Sequence, residues 1–319
     1  MNDAQHAQLK SRIAALDSIS TAPAILQPLL AMMRLPADDI KMEQVVDLVS
    51  RDGAIAAQCL RVANSPLFGR NAVETVRAAV MTLGIDRVRS ILFGACMNKT
   101  IPDDKWVLDR NAFWRHSLGC ALIAQTMARK IGYPEPEKAY LAGLLHDLGF
   151  LVISVLDNAR FRDCLQRAIA ERCPLHVAEQ LILGYTHADA GSMLCEHWGF
   201  SKDLVQAARS HHRADLMETA DSLVCLVHLG DLLCRVRDLR YGYEETIAVS
   251  FWQESAWNHL VTSYPALAEI DFFRFTLDVD SSMEQIAALV SSVFAADKAL
   301  GAPSSLGEQE KTNNAATGR

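Results

Sequence analysis

The chain has 319 residues, half of them hydrophobic, and sets 31 Lys and Arg against 38 Asp and Glu for a formal charge of −7. That length suffices for one large domain or two ordinary ones. The net acidity disfavours bulk attraction to nucleic acid or anionic lipid, and no unbroken apolar run of roughly eighteen residues offers a membrane span. Leu and Ala dominate while alternating β-branched runs are scarce, so the expected class is all-α. The eight cysteines include no Cys-x-x-Cys pair and mostly sit in apolar surroundings, as reduced core residues do. The opening Met-Asn-Asp-Ala-Gln-His lacks the basic and apolar parts of a secretory leader, which makes the cytoplasm the expected compartment.

Residues 13–100 read as an N-terminal helical part. Pro23 suits a helix start, 45–50 carries an apolar face, and 54–63 is an amphipathic helix running into the turn Asn64-Ser65-Pro66-Leu67-Phe68-Gly69. A helix over 72–83 stops at Gly84, and Asp86 is placed to cap the next one, which holds Val88, Ile91, Leu92 and Cys96. Residues 101–111 are polar and interrupted by Pro102, the expected joint. Asn111 is expected to cap a helix that runs to Ile131 before Gly132-Tyr133-Pro134 ends it. On it Phe113, His116, Cys120, Ile123 and Met127 form one stripe, so His116 points inward. A single inward histidine is more often a satisfied core residue than a ligand.

The segment 111–238 reads as the helical core. Helices are expected over 159–171, 175–183, 188–198 and 204–212, the last ending in His211-His212, and over 223–236, which carries His228 and Asp231 on one face. Residues 239–300 read as a C-terminal helical extension containing Phe251, Trp252, Trp257, Phe272, Phe273 and Phe275, with an amphipathic helix near 283–295. The tail 301–319 is too polar to order itself. No internal repeat is visible.

The most informative residues are His146 and Asp147, inside the otherwise apolar run from Tyr140 to Ile153. A charge there needs a partner, because burying it alone costs several kcal/mol. A metal ion would serve, and so would backbone donors; the dipeptide leaves both open. His116, His146, Asp147, His187, His211, His212 and Asp231 each fall in or at the end of a helix of one bundle. Nitrogen and oxygen donors converging from several helices are the ingredients of a mono- or dinuclear zinc, manganese or iron site.

The order His116, then Gly143-Leu144-Leu145-His146-Asp147-Leu148-Gly149, then a late Asp231 resembles the HD superfamily of metal-dependent phosphohydrolases. Leu60-Arg61-Val62-Ala63-Asn64-Ser65, Ala79-Val80-Met81-Thr82-Leu83-Gly84, Phe113-Trp114-Arg115-His116, His187-Ala188-Asp189-Ala190-Gly191 with Trp198, and His211-His212 are similar to the HDOD family, the HD-related output domains of bacterial signalling. The resemblance covers residues 19–231 and implies an N-terminal helical bundle packed on an HD-like core, acting as a regulatory module. Carried over by residue, it assigns His116, His146, Asp147 and Asp231 to the basic metal quartet, and His187 with His211 or His212 to the extra histidines of the HD-GYP cyclic di-GMP phosphodiesterases.

Two departures weigh against catalysis. Phe150 stands where the HD-GYP pattern has a phosphate-holding Lys, and Arg213-Ala214-Asp215-Leu216 replaces its Gly-Tyr-Pro element. The expectation is a non-catalytic output module whose partners are signalling proteins, with self-association left open. The alternative is a metal-dependent phosphohydrolase acting on a nucleotide or cyclic dinucleotide second messenger. A weaker third reading is DNA binding through the helix-glycine-helix of 74–91 with Arg77, Arg87 and Arg89.

Overall fold

A computed structural model of the chain describes residues 3–16, 24–36, 39–64, 72–213, 221–237, 239–246 and 253–269. The expectations for Pro23, the 65–71 turn, Ala214-Asp215-Leu216, Phe251, Trp252, Phe272, Phe273, Phe275, the 283–295 helix and the 301–319 tail lie outside these residues. The architecture is all-α, with no strand among the described residues.

After α1 (Asp3–Leu16) come α2 (Leu26–Met33), α3 (Met42–Ser50), α4 (Gly53–Ala63), α5 (Val76–Leu83) and α6 (Ile85–Thr100). α6 is the axis of this part: every residue from Val88 to Met97 is buried, and α2, α3, α4 and α5 all pack on it. Asp52 caps α4 by accepting from the amides of Ala54 and Ile55 at 3.0 and 3.2 Å. The helix expected from 72 begins only at Val76. Asn64 Oδ1 accepts from Val73 N at 2.8 Å and holds that stretch extended, and the Thr75 hydroxyl caps at Ala78 N, 3.1 Å. Asp86 is not the cap of α6; Gly84 is, and Asp86 in the first turn pairs with the buried Arg89.

α7 (Arg110–Ile131) is capped by Asp109 rather than Asn111, its carboxylate accepting from Ala112 N at 2.8 Å. Then follow α8 (Pro136–Leu145), α9 (Gly149–Leu156), α10 (Asn158–Glu171), α11 (Leu175–Ile182), α12 (His187–His197), α13 (Lys202–Ser210), α14 (Ser222–Val236) and α15 (Ser255–Ser263). α8 and α14 pack along α7, α9 packs on α12, and one contiguous apolar core runs from Leu9 to Leu267. The 21-residue stretch Pro136–Leu156 is long and apolar enough to cross a membrane by length and composition, but it is interrupted by Glu137, Lys138, His146 and Asp147, and 89% of its most apolar eighteen residues are buried inside the fold, as a core segment would be.

Two glycines permit the close approaches that matter. A Cβ at Gly143 would lie 2.7 Å from Ala121 Cα, so only glycine lets α8 meet α7 there. A Cβ at Gly149 would collide with the His187 carbonyl oxygen, so α9 reaches the start of α12 through backbone contact alone. Gly149→Ala should therefore cost about 1–3 kcal/mol by overpacking. Gly53→Ala, where nothing lies within 4 Å of the new carbon, should be neutral or stabilising by up to about 1 kcal/mol. Denaturant unfolding compares the two, and equal losses would refute the packing argument.

Candidate metal centre

The seven candidate residues meet in one place. His116 comes from α7 and His187 from the first turn of α12, whose Thr186 and Asp189 form a capping box. His211 and His212 follow the end of α13, and Asp231 lies on α14. His146 and Asp147 occupy the turn between α8 and α9, not the middle of a helix. His116, His146, Asp147, His187, His211 and Asp231 are at most 3% exposed, and His212 sits at the rim.

Four rings are held by the nitrogen that faces away from the centre. His116 Nδ1 donates to the Leu239 carbonyl at 2.7 Å, His146 Nδ1 to the Gly143 carbonyl at 2.7 Å, and His211 Nδ1 to the Ala208 carbonyl at 2.8 Å. His187 Nδ1 donates to Glu179 Oε2 at 2.8 Å, and the His187 backbone amide donates to the same oxygen. A carbonyl can only accept, so in the neutral ring Nε2 is left with a lone pair aimed inward. His116 and His146 accordingly oppose their Nε2 atoms at 3.3 Å, and His187 and His212 at 2.9 Å. Asp147 lies between the pairs: Oδ2 is 2.9 Å from His146 Nε2 and 3.4 Å from His116 Nε2, and Oδ1 is 3.1 Å from His187 Nε2 and 3.4 Å from His211 Nε2. Asp231 Oδ1 is 3.2 Å from His116 Nε2.

This donor set fits a divalent transition metal. Asp147, His187, His211 and His212 present ligand atoms within 4.8 Å of one another, as do His116, His146 and Asp231. Asp147 Oδ1 and His211 Nε2 are buried yet make no hydrogen bond. Imidazole nitrogen with carboxylate oxygen suits zinc, manganese or iron.

Without metal the cluster holds protons instead. Burial opposes every charge here, but Asp147 lifts His146 well above the ordinary imidazole range and is itself held well below the carboxylate range by His146. Against the same burial, Glu179 and Asp147 push His187 up to about 10. Burial pushes His211 down and His212 well down, and His212 is lowered further by the neighbouring histidines. Asp231 is held low despite burial by Arg235, then His116.

Residues missed in the sequence complete the site. Glu179, fully buried on α11, orients His187. Its signal was its place among Leu175 and Ala178 on the buried face of an amphipathic helix. Tyr241 donates its hydroxyl to Asp147 Oδ2, and its ring lies against His116 and Phe150 at centroid distances of 4.5 and 5.0 Å. Phe150 covers His187 at 3.9 Å. Arg235 lies on the wall with Nη1 3.6 Å from Asp231 Oδ2 and Nε 3.8 Å from Glu245 Oε2, and Tyr243 donates to Glu245 Oε1 at 2.9 Å. His176 stacks on His212 at 4.1 Å. The free space among these groups is about 10 Å³, room for one water.

The HDOD domain profile matches residues 19–214. The chain belongs to the HDOD family. It is 25% identical to an HDOD domain protein of unknown function from Geobacter sulfurreducens, whose crystal structure aligns over 92% of this chain and 99% of that one with a TM-score of 0.75. A Shewanella amazonensis SB2B protein provisionally described as a phosphohydrolase shares the fold at 22% identity and a TM-score of 0.66, over 91% of this chain and 98% of that one. An uncharacterised protein of Treponema pallidum (strain Nichols) is 24% identical over 235 residues, 72% of this chain and 45% of its own length, so the chain spans about half of that curated relative.

Asp147→Ala should abolish metal retention and lower the melting temperature, because the remaining histidines lose their anionic partner. With chelator present the substitution should still cost on the order of 1–3 kcal/mol. Paired melts with and without chelator check this, and an unchanged melt in both would sink it.

The pH dependence has a definite sign. The folded-state value of His187, about 10, lies above its ordinary 6.5, so its protonation stabilises the metal-free protein fully below pH 6.5 and ceases to do so as pH rises toward 10. The chelated protein should lose this contribution across that window. Metal must displace protons from His146 and His187, so binding at neutral pH should release protons, measurable by calorimetry in buffers of different ionisation enthalpy. Metal uptake with no proton release contradicts the assignment.

Proposed function

We propose that this HDOD protein is a signalling output module acting through protein contacts, with the His/Asp cluster as a closed metal-holding centre rather than a hydrolytic site. The observation that carries this reading is the seal over Asp147. Among the described residues, Tyr241, Phe150 and the Arg235–Glu245 pair narrow the space beside it to about 10 Å³, room for one water. A cyclic dinucleotide needs a cleft of several hundred Å³.

Asp147 Oδ2 takes the Tyr241 hydroxyl while also facing His146 and His116. Oδ1, which faces His187 and His211, makes no hydrogen bond, so the Tyr241 hydroxyl on Oδ2 leaves it open to a metal and the 239–246 strap sets how the Asp147 carboxylate is turned toward the centre. Leu239 is tied to the centre as well, through its carbonyl on His116. The strap thus offers a route by which the state of the centre reaches a partner surface.

A second reading has one observation in its favour. Arg235 places a cation on the pocket wall, where a phosphohydrolase needs one and where Phe150 supplies none. A bound divalent ion would lower the pKa of a water and polarise a phosphate. Here, however, Asp231 and Glu245 already engage Arg235. The full chain with added manganese or iron should therefore not turn over cyclic di-GMP, while metal removal should change hydrogen exchange in 239–246. Turnover that requires metal and vanishes in His146→Ala would promote the hydrolase, and exchange indifferent to metal would remove the strap from the mechanism.

A further inference from the structure

Four imidazoles of the centre are anchored through Nδ1, on a carbonyl or on Glu179. His212 is held differently. Its Nε2 lies 2.9 Å from His187 Nε2 and its Nδ1 3.8 Å from Asp231 Oδ2, so both nitrogens face ligand groups and neither is spent on a backbone carbonyl among the described residues. Other rings hold it instead. His176 stacks on it with centroids 4.1 Å apart and planes 23° from parallel, and His211 lies against it at 4.0 Å and 50°. A stack orients a ring through its flat face and leaves the nitrogens free.

His176 and Glu179 stand three residues apart on α11, and so on one side of it. Glu179 accepts from His187 Nδ1 and from the His187 amide, both at 2.8 Å. One helix of eight residues therefore braces both rings of the His187–His212 pair, one by hydrogen bonds and one by stacking. The other ligand group is anchored elsewhere: His116 and His146 on the Leu239 and Gly143 carbonyls, and Asp231 on α14. His176 is not among the side chains whose ligand atoms cluster within 4.8 Å, although it lines the same small space. Its place is to orient a ligand rather than to be one.

We propose that His176 is a positioning residue of the centre: stacked on His212, it fixes the direction of the His212 Nε2 lone pair, and with it the affinity of the Asp147, His187, His211 and His212 group for a divalent ion. The inference rests on the reading of the cluster as a metal-holding centre. A ring free to turn offers its nitrogen to the ion for only part of the time, and the affinity falls by that fraction. Because the stack uses the face of the ring, an aromatic hydrocarbon can replace His176. Because His176 acts through His212, it has no effect once His212 is gone.

The test titrates the metal-free full chain with cobalt(II), followed by ligand-field absorption and by equilibrium dialysis. His176→Leu keeps apolar bulk but loses the flat face, and should weaken by about three- to tenfold the same cobalt step that His212→Ala weakens. The other step should stay within about twofold of the wild type. His176→Phe restores the stack and should bind as the wild type does, whereas a ligand role for His176 would leave it as weak as His176→Leu. In the His212→Ala background, His176→Leu should add no further loss. The chelated protein gives a reading without metal: the ring-proton resonances of His212 should shift and broaden in His176→Leu and stay sharp in His176→Phe. A wild type that takes up no cobalt defeats the metal-holding reading and the affinity half of the proposal with it, while the resonances still decide whether His176 holds His212. Equal cobalt affinity in the wild type and His176→Leu, or additive losses in the double variant, would overturn the positioning role. His176→Ala is read in the same way where His176→Leu fails to fold.

Discussion

The molecule is organised around the burial of one carboxylate. Asp147 is 2% exposed in the turn between two apolar helices, a position that an unpaired charge could occupy only at a cost of several kcal/mol. The fold surrounds it with polar groups from five directions: His146 beside it, His116 from α7, His187 from α12, His211 after α13 and the Tyr241 hydroxyl, which donates to it, from the strap. Bringing so many backbones within reach of one side chain requires helices that nearly touch, and Gly143 and Gly149 stand at two of those crossings. Packing and electrostatics are therefore one problem here. A methyl group at Gly149 would push away the helix that delivers His187.

The outward anchoring of the imidazoles sets what the cluster can accept. With Nδ1 of His116, His146, His187 and His211 each committed to a carbonyl or to Glu179, only Nε2 can change state, and all four Nε2 atoms face inward. Two opposed nitrogens at about 3 Å must share a proton or a metal, since two lone pairs repel. The centre thus exchanges protons for a cation without moving its rings. A preorganised site of this kind holds an ion as readily for structure as for chemistry, and the surrounding groups decide which.

Much of this was legible in the sequence, for identifiable reasons. The stripe of Phe113, His116, Cys120, Ile123 and Met127 has helical periodicity that tertiary contacts reinforce, so the inward course of His116 could be read directly. The continuous apolar run around His146 carries no periodicity, and nothing local marks the turn that separates α8 from α9. Asp109 and Asn111 are both good caps, and spacing alone does not choose between them. Residues 72–75 show no break because the device that holds them extended is the Asn64 side chain, nine residues before Val73. Glu179 was readable as a carboxylate on a buried helical face. Tyr241 was not, because it lies outside regular structure and earns its place through one hydroxyl contact across 94 residues of chain.

The strap also resolves an apparent conflict about charge. Phe150, read as a lost phosphate clamp, turns out to be a lid that stacks on His187, while a cation is present nearby as Arg235. Arg235 is compensated by Asp231 on its own helix and by Glu245 on the strap, and Glu245 is steadied by Tyr243. Lifting the strap would withdraw Tyr241 from Asp147 and Glu245 from Arg235 together, because both lie on the same short segment. Access and positive charge would then appear at the same moment, so a closed centre presents an incoming phosphate with neither space nor attraction.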